Sequence, residues 1–370
     1  MEPTVRAENV WTHLPPVVVV MLYFVLCPAP VHAATQKTDD LIRAGQKLEA
    51  KEATELEEHL TQNATDLESR TKLLGYYFNR SFDSPEAKAA KERHILWIIE
   101  NRPDADVAGN AVSLVLPYSG GEAFKKAQAL WIAKVDGNPN DLKIVGNAAK
   151  FFWEVPGTRG ESLLQRAADL DPENPAWEDK LLSLYHVRFL GCTGEEAKVV
   201  AKKGLATVEE LLRRAEARPE ARPFALIRCC SNMTDFAIAL GDTQNAKARL
   251  VELLAAATAA PDEKWSPFAV HYSHTALGRI ALSESKSDDA AQHLIDAVTI
   301  KAQKPMQFKP ETSLASELLR KGKRDVVLKY LETCLKLWPA DDTRLSKWIE
   351  IVGAGGEPDW KLRAPGNGSR

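Results

Sequence analysis

Cysteine is scarce in this chain, five in 370 residues, too few for a small scaffold held together by disulfides. A surplus of positive charge is missing as well. Lysine and arginine total 48 against 51 acidic residues, a formal net charge of −3. A nucleic-acid binder needs a basic excess to neutralise phosphates, so that class is excluded. No apolar run reaches the roughly 20 residues of a membrane-spanning helix. No Asn-Gly or Asp-Gly stands between alternating apolar runs, so hairpin sheets have no turn to start from. Gly-rich phosphate loops, Gly-x-Ser-x-Gly elbows, His-Glu-x-x-His helices and Cys-x-x-Cys pairs are all missing. What remains is 45% apolar and 27% charged, an ordinary balance for a water-soluble protein. The length suits two or three domains or one elongated array.

The N-terminus carries a distinct signal. Val17–Leu26 reads VVVVMLYFVL and Val31-His32-Ala33 follows. A short apolar core before small residues is the pattern of a secretory leader. Residues 1–33 are therefore expected to be a signal peptide, cleaved after Ala33, and the mature protein to be exported, periplasmic or secreted, with no stable membrane span. The basic region is thin, with Arg6 offset by Glu2 and Glu8. Two alternatives stay open: an uncleaved membrane anchor, and a lipoprotein at Cys27, although Leu26 stands where such a site takes Gly or Ala. Export permits disulfides among Cys192, Cys229, Cys230 and Cys334. Adjacent Cys229 and Cys230 would close a strained ring, and the simpler reading is buried thiols packed as small apolar groups.

Helical periodicity runs from Thr38 to Val352. Leu41, Ala44 and Leu48, then Ala53, Leu56 and Leu60, fall at steps of three, four and seven, one face of a helix. Thr38-Asp39-Asp40 offers capping oxygens for its start. Val-rich Ala111–Leu116 fits a helix as well as a strand. Pro103, Pro139 and Pro172, 36 and 33 residues apart, each end an apolar helical stretch, because proline lacks the N–H that the next turn needs.

This spacing and the small residues inside it resemble the tetratricopeptide repeat, a helix-turn-helix unit of about 34 residues. Asp141–Asn174 matches with Ala148, Phe151, Gly160, Leu164, Ala167 and Pro172. A unit from Ile227 has Ala237, Gly241, Asp242, Ala246 and Leu250. One from His271 has Leu277, Gly278, Ala281, Ala290, Leu294 and Ala297. One from Phe308 has Leu314, Ala315, Leu318, Gly322, Leu331, Cys334 and Pro339. Leu74-Gly75 with Phe78 and Pro103, and Leu114 with Tyr118, Ala127 and Pro139, are weaker versions. RTKLLGYYF (70–78), RHILWIIENRP (93–103) and GNAAKFFWE (146–154) look like exported bacterial proteins of this type, a group with no settled activity.

The resemblance implies an all-α, right-handed superhelical array, an α-solenoid, with Leu277-Gly278 and Leu314-Ala315 at close helix crossings. Its expected organisation is a helical segment at 34–67, repeats at 68–188, a long-helix interruption at 189–226, repeats at 227–352 and a disordered tail at 353–370. Arg218–Pro223 breaks the long helix, whose apolar set is Val199, Val200, Leu205, Val208, Leu211 and Leu212.

Candidate chemistry is sparse. His271 and His274 lie three apart on a helix, but zinc needs at least a third ligand and no nearby Cys or His is evident by spacing. Tyr118-Ser119-Gly120-Gly121 reads as an inter-helix loop. Asp169, Asp171 and Glu173 read as caps at a repeat turn, and the sequons at Asn63, Asn79, Asn232 and Asn367 as coincidences. No catalytic residue, metal ligand or cofactor is assigned. The expected function is a scaffold binding a polypeptide partner in a concave groove, lined by Tyr76, Asn79, Phe152, His186, Asp235, Arg279 and Arg320. The alternative is an envelope-associated hydrolase or other enzyme working around His186, His271 and Arg279.

Overall fold

The computed structural model describes residues 33–115, 121–153, 158–300, 306 and 308–360. Residues 1–32 of the expected leader and Tyr118-Ser119-Gly120 fall outside these residues, as does the tail beyond 360. The helices in chain order begin with α1 (Ala33–Gln46), α2 (Ala50–Gln62), α3 (Leu67–Arg80) and α4 (Pro85–Asn101). Next come α5 (Gly121–Gly137), α6 (Leu142–Trp153), α7 (Arg159–Leu170), α8 (Ala176–Gly191) and α9 (Gly194–Glu216). The chain continues with α10 (Arg222–Leu240), α11 (Gln244–Ala259), α12 (Ser266–Ser283) and α13 (Ser287–Asp296). It closes with α14 (Ser313–Arg320), α15 (Arg324–Leu337) and α16 (Asp342–Gly353). No strand occurs among the described residues. Most helices pack mainly on their chain neighbours; α1 packs instead on α3, and α10 on α12, α12 on α14 and α13 on α15 also touch. This is the packing of an α-solenoid.

Local chemistry accounts for many boundaries. Asp66 caps α3 by accepting from the backbone N–H groups of Glu68 and Ser69, and Ser84 caps α4 just before Pro85. Pro103, Pro139 and Pro172 all lie between helices, as their missing N–H requires. Gly241 and Gly322 take the left-handed turn after α10 and α14, with φ of 69° and 80°. Two expectations change. Helix α1 starts at Ala33, so Thr38-Asp39-Asp40 lies inside it, and Asp40 pairs with Arg43 instead of capping. Val107, Val112 and Val115 are buried around two short 3-10 turns, 106–109 and 111–113, which hold the link after α4 against the core.

The close crossings are where the small residues predicted them. A Cβ at Gly278 would collide with the Leu314 side chain and sit 3.1 Å from the His293 Cβ. Helix α9 packs between α8 and α10, with Ala201, Gly204, Val208, Leu211, Leu212 and Ala215 inward. Val199, expected in that apolar set, is exposed. The described part of the tail is packed: Trp360 lies 5.2 Å from Trp348, ring to ring, and Arg324 donates to the Gly355 carbonyl.

Candidate functional site

Alternate helices α8, α10, α12 and α14 build one polar face. His186 on α8 meets Asp235 on α10, Nε2 to Oδ2 3.2 Å. Arg279 on α12 donates to the other Asp235 oxygen at 2.6 Å and to Glu317 on α14 at 2.8 Å. Four successive alternate helices thus contribute one residue each to a continuous row. Two turns earlier lies a shorter row: Arg228 on α10 donates to Asp179 on α8 at 3.2 Å. Asp179 precedes His186 by seven residues, and Arg228 precedes Asp235 by seven, so both rows follow the same helix faces.

The row is half-buried, with Asp235 14% and Arg279 20% exposed at the side chain. Burial alone would raise the Asp235 pKa. The hydrogen bond from His186 and the charge of Arg279 more than offset it, so the carboxyl titrates below its ordinary value. Burial would likewise lower Arg279, and the two flanking carboxylates hold it above its usual range. Asp179 goes the other way: its burial outweighs the Arg228 ion pair and raises it.

The structure brings together three of the seven predicted groove residues, His186, Asp235 and Arg279, and adds Glu317, Asp179 and Arg228. The other four lie elsewhere. Arg320 is exposed and pairs with Glu357 at 2.7 Å. Tyr76 lines a shallow cleft of about 450 Å³ with Tyr77, Arg80, Asp83 and Ser84, and the Arg80 guanidinium sits 3.9 Å from its ring centroid. Asn79 is exposed on the same helix. Phe152 is a correction: it is 2% exposed and stands edge-on to Phe151 at 5.2 Å. Helix α6 lies inside the stack and buries nearly all its apolar residues, so this ring is core and not groove.

The histidines also sort differently from their spacing. His271 is fully buried. Its Nδ1 bonds the Ala297 carbonyl at 2.8 Å and its Nε2 accepts from the Glu311 backbone N–H at 2.8 Å. One ring therefore ties α12 to the ends of two other segments, and burial pushes its pKa down to about 4. Both nitrogens are occupied, so His271 drops out of the groove chemistry considered for an enzyme. His274 faces α13, where its Nδ1 lies 3.1 Å from the Nδ1 of His293. Burial lowers both rings, and for His274 the neighbouring imidazole adds to it.

A second network escaped the sequence reading. Glu57 on α2 accepts from Tyr77 at 3.0 Å, from Arg93 at 2.9 Å and from His94 Nε2 at 2.9 Å. Arg70 donates to His94 Nδ1 at 3.1 Å, which leaves Nε2 to face Glu57 as the donor. Burial would raise Glu57, but the His94, Tyr77 and Arg93 contacts bring it down to about 2. Its partners are 20, 36 and 37 residues away, and no local motif marks them.

Among the described residues the four cysteines are free thiols, Cys229, Cys230 and Cys334 buried and Cys192 half-buried. Burial raises each of the three buried ones to about 12, which makes them inert. Asn232 is buried and Thr234 is fully enclosed, so that sequon is not open to modification. Asp171 accepts from Asn174 and from the Trp177 indole, the turn role expected of it. No family model matches this chain. A search of curated proteins also finds no match.

Proposed function

We propose that this chain is an exported tetratricopeptide-type scaffold that binds a polypeptide across the face carried by α8, α10, α12 and α14. The carrying observation is the continuous row His186–Asp235–Arg279–Glu317. A chain laid across those helices meets a polar group at each one, alternately acceptor and donor. Phe268 and Tyr272, stacked at 4.1 Å on α12, add half-buried aromatic surface two to three turns before Arg279 on the same helix, and aromatics are favoured anchors in interfaces. Successive helix pairs with small residues at their crossings, Gly278 above all, support the repeat reading. A right-handed superhelix would make the face concave. The apolar run before Val31-His32-Ala33 supports export.

The test is site-specific photocrosslinking in the native host. A crosslinker replacing His186 should trap a defined polypeptide. One replacing Val251, which is 56% exposed on α11, should not. Arg279→Gln should reduce the trapped species at least fivefold. N-terminal sequencing of this protein, purified from the same host, should start at Ala34. Equal trapping from both positions, or no response to Arg279→Gln, would sink the proposed face.

A further inference from the structure

The geometry points to a divalent transition-metal site of the zinc class, formed by His274 on α12 with His293 and Asp296 on α13. This site does not depend on the polypeptide-binding reading. One ligand atom from each of the three residues lies within 4.8 Å of the other two. Spacing on α12 alone suggests no such set, because the partner of His274 is not His271 but a residue 19 positions later. His293 and Asp296 stand three apart on α13, so they share one face of that helix.

Gly278 is what lets this face come close. It lies one turn after His274, and a Cβ there would press on the His293 Cβ at 3.1 Å and the Ala290 carbonyl at 3.3 Å. The absence of a side chain at Gly278 therefore sets the distance at which the two imidazoles meet. Their Nδ1 atoms are 3.1 Å apart. Two nitrogens bound to one tetrahedral zinc, each bond about 2.0–2.1 Å, are separated by about 3.3 Å. The pair already stands near that edge length. Asp296 Oδ1 accepts from Gln292 at 2.8 Å, which orients the carboxylate and leaves its second oxygen for a cation, as outer partners do in metal sites.

Two imidazoles and a carboxylate select zinc or a neighbouring transition metal over calcium or magnesium, which take oxygen alone. Three protein ligands leave the fourth position of a tetrahedral ion for water or an incoming ligand. All three residues are half-buried, so the ion stays in reach of solvent while clipping α12 to α13. At 3.1 Å one ring's Nδ1–H donates to the other's Nδ1. For both Nδ1 lone pairs to face the ion, the donor ring shifts its proton to its own Nε2, and both bind as neutral imidazoles.

The experiment is calorimetric titration of the metal-stripped full chain with zinc chloride, repeated with cobalt(II) as a visible-absorbing substitute. The expected result is one tight equivalent per chain, with cobalt giving the strong bands of a four-coordinate ion. His293→Gln and Asp296→Asn should each weaken zinc at least tenfold and abolish the bands. His59→Ala, which alters a histidine paired with Asp66 away from this site, should retain both. Far-ultraviolet circular dichroism checks that the variants fold, and Asp296→Asn, which keeps the side-chain shape, carries the test if a histidine variant does not. No tight equivalent in the parent chain, or one that survives both Asp296→Asn and His293→Gln, overturns the site.

Discussion

His271 is fully buried, with both ring nitrogens bonded inside the fold. Desolvation penalises its charged form and brings its pKa from the ordinary 6.5 to about 4. The unfolded chain therefore takes up a proton as pH falls through 6.5, and the folded chain only near 4. Stability from this group is complete above about pH 6.5 and is lost as pH drops toward 4, by about 3 kcal/mol in all. His274 and His293 shift in the same direction, so the parent protein alone cannot assign the slope. Urea unfolding at pH 7.5 and pH 4.5 should show a smaller loss in His271→Gln than in the parent, by about 2–3 kcal/mol. Equal losses would mean that His271 is not the group responsible. Below that window the Glu57 network gives way, because its carboxylate contributes only while ionised and is held to about 2.

At the scale of the helix pair, α1 and α3 cross through two glycines. A Cβ on Gly45 would fall well under 3.0 Å from the Lys72 carbonyl oxygen, and one on Gly75 also well under that limit from the Ile42 carbonyl oxygen. Both obstacles are backbone, so no rotamer change relieves them. Gly75→Ala should destabilise the protein by about 1–3 kcal/mol even though alanine is the better helix former. Gly137 ends α5 with nothing within 4 Å of its Cβ position. There Gly137→Ala should leave the melting temperature unchanged or raise it slightly. Thermal denaturation of the two variants checks the contrast, and a neutral Gly75→Ala would mean that the crossing is looser than the backbone indicates. Gly278 is a milder case, since its nearest obstacle is the flexible end of Leu314.

Across the whole described chain the buried apolar residues fall into one large cluster from Ile42 to Ile280, a smaller one from Ala281 to Val352, and a minor one of Ala53, Leu60 and Leu73. The first two divide along α12, where Ile280 belongs to the first and Ala281 to the second. In an array each unit draws stability from its neighbours, and terminal units have a neighbour on one side only. Helices α14–α16 should therefore open before α7–α11. Hydrogen exchange followed peptide by peptide in moderate urea should show 313–352 exchanging together at lower protection than 163–257. A single shared opening across both stretches would make the array one cooperative unit.

Helix class, the proline stops and the small-residue crossings were legible in the sequence, because each depends on residues three or four apart, or on one residue's own backbone. The common face of His186, Asp235 and Arg279 was legible for a related reason: alternate helices of an α-solenoid turn the same side outward. Phe152 was misread because helix α6 is enclosed, and a helix buried on most sides has no polar face to say where its aromatics point. Glu317 beside Arg279, Glu57 beside His94 and His293 beside His274 belong to another level. Each pairing joins different helices, and its distance is decided by the crossing geometry that glycines and core side chains allow. A local period states which way a residue faces along its own helix; only the packed fold decides what stands opposite.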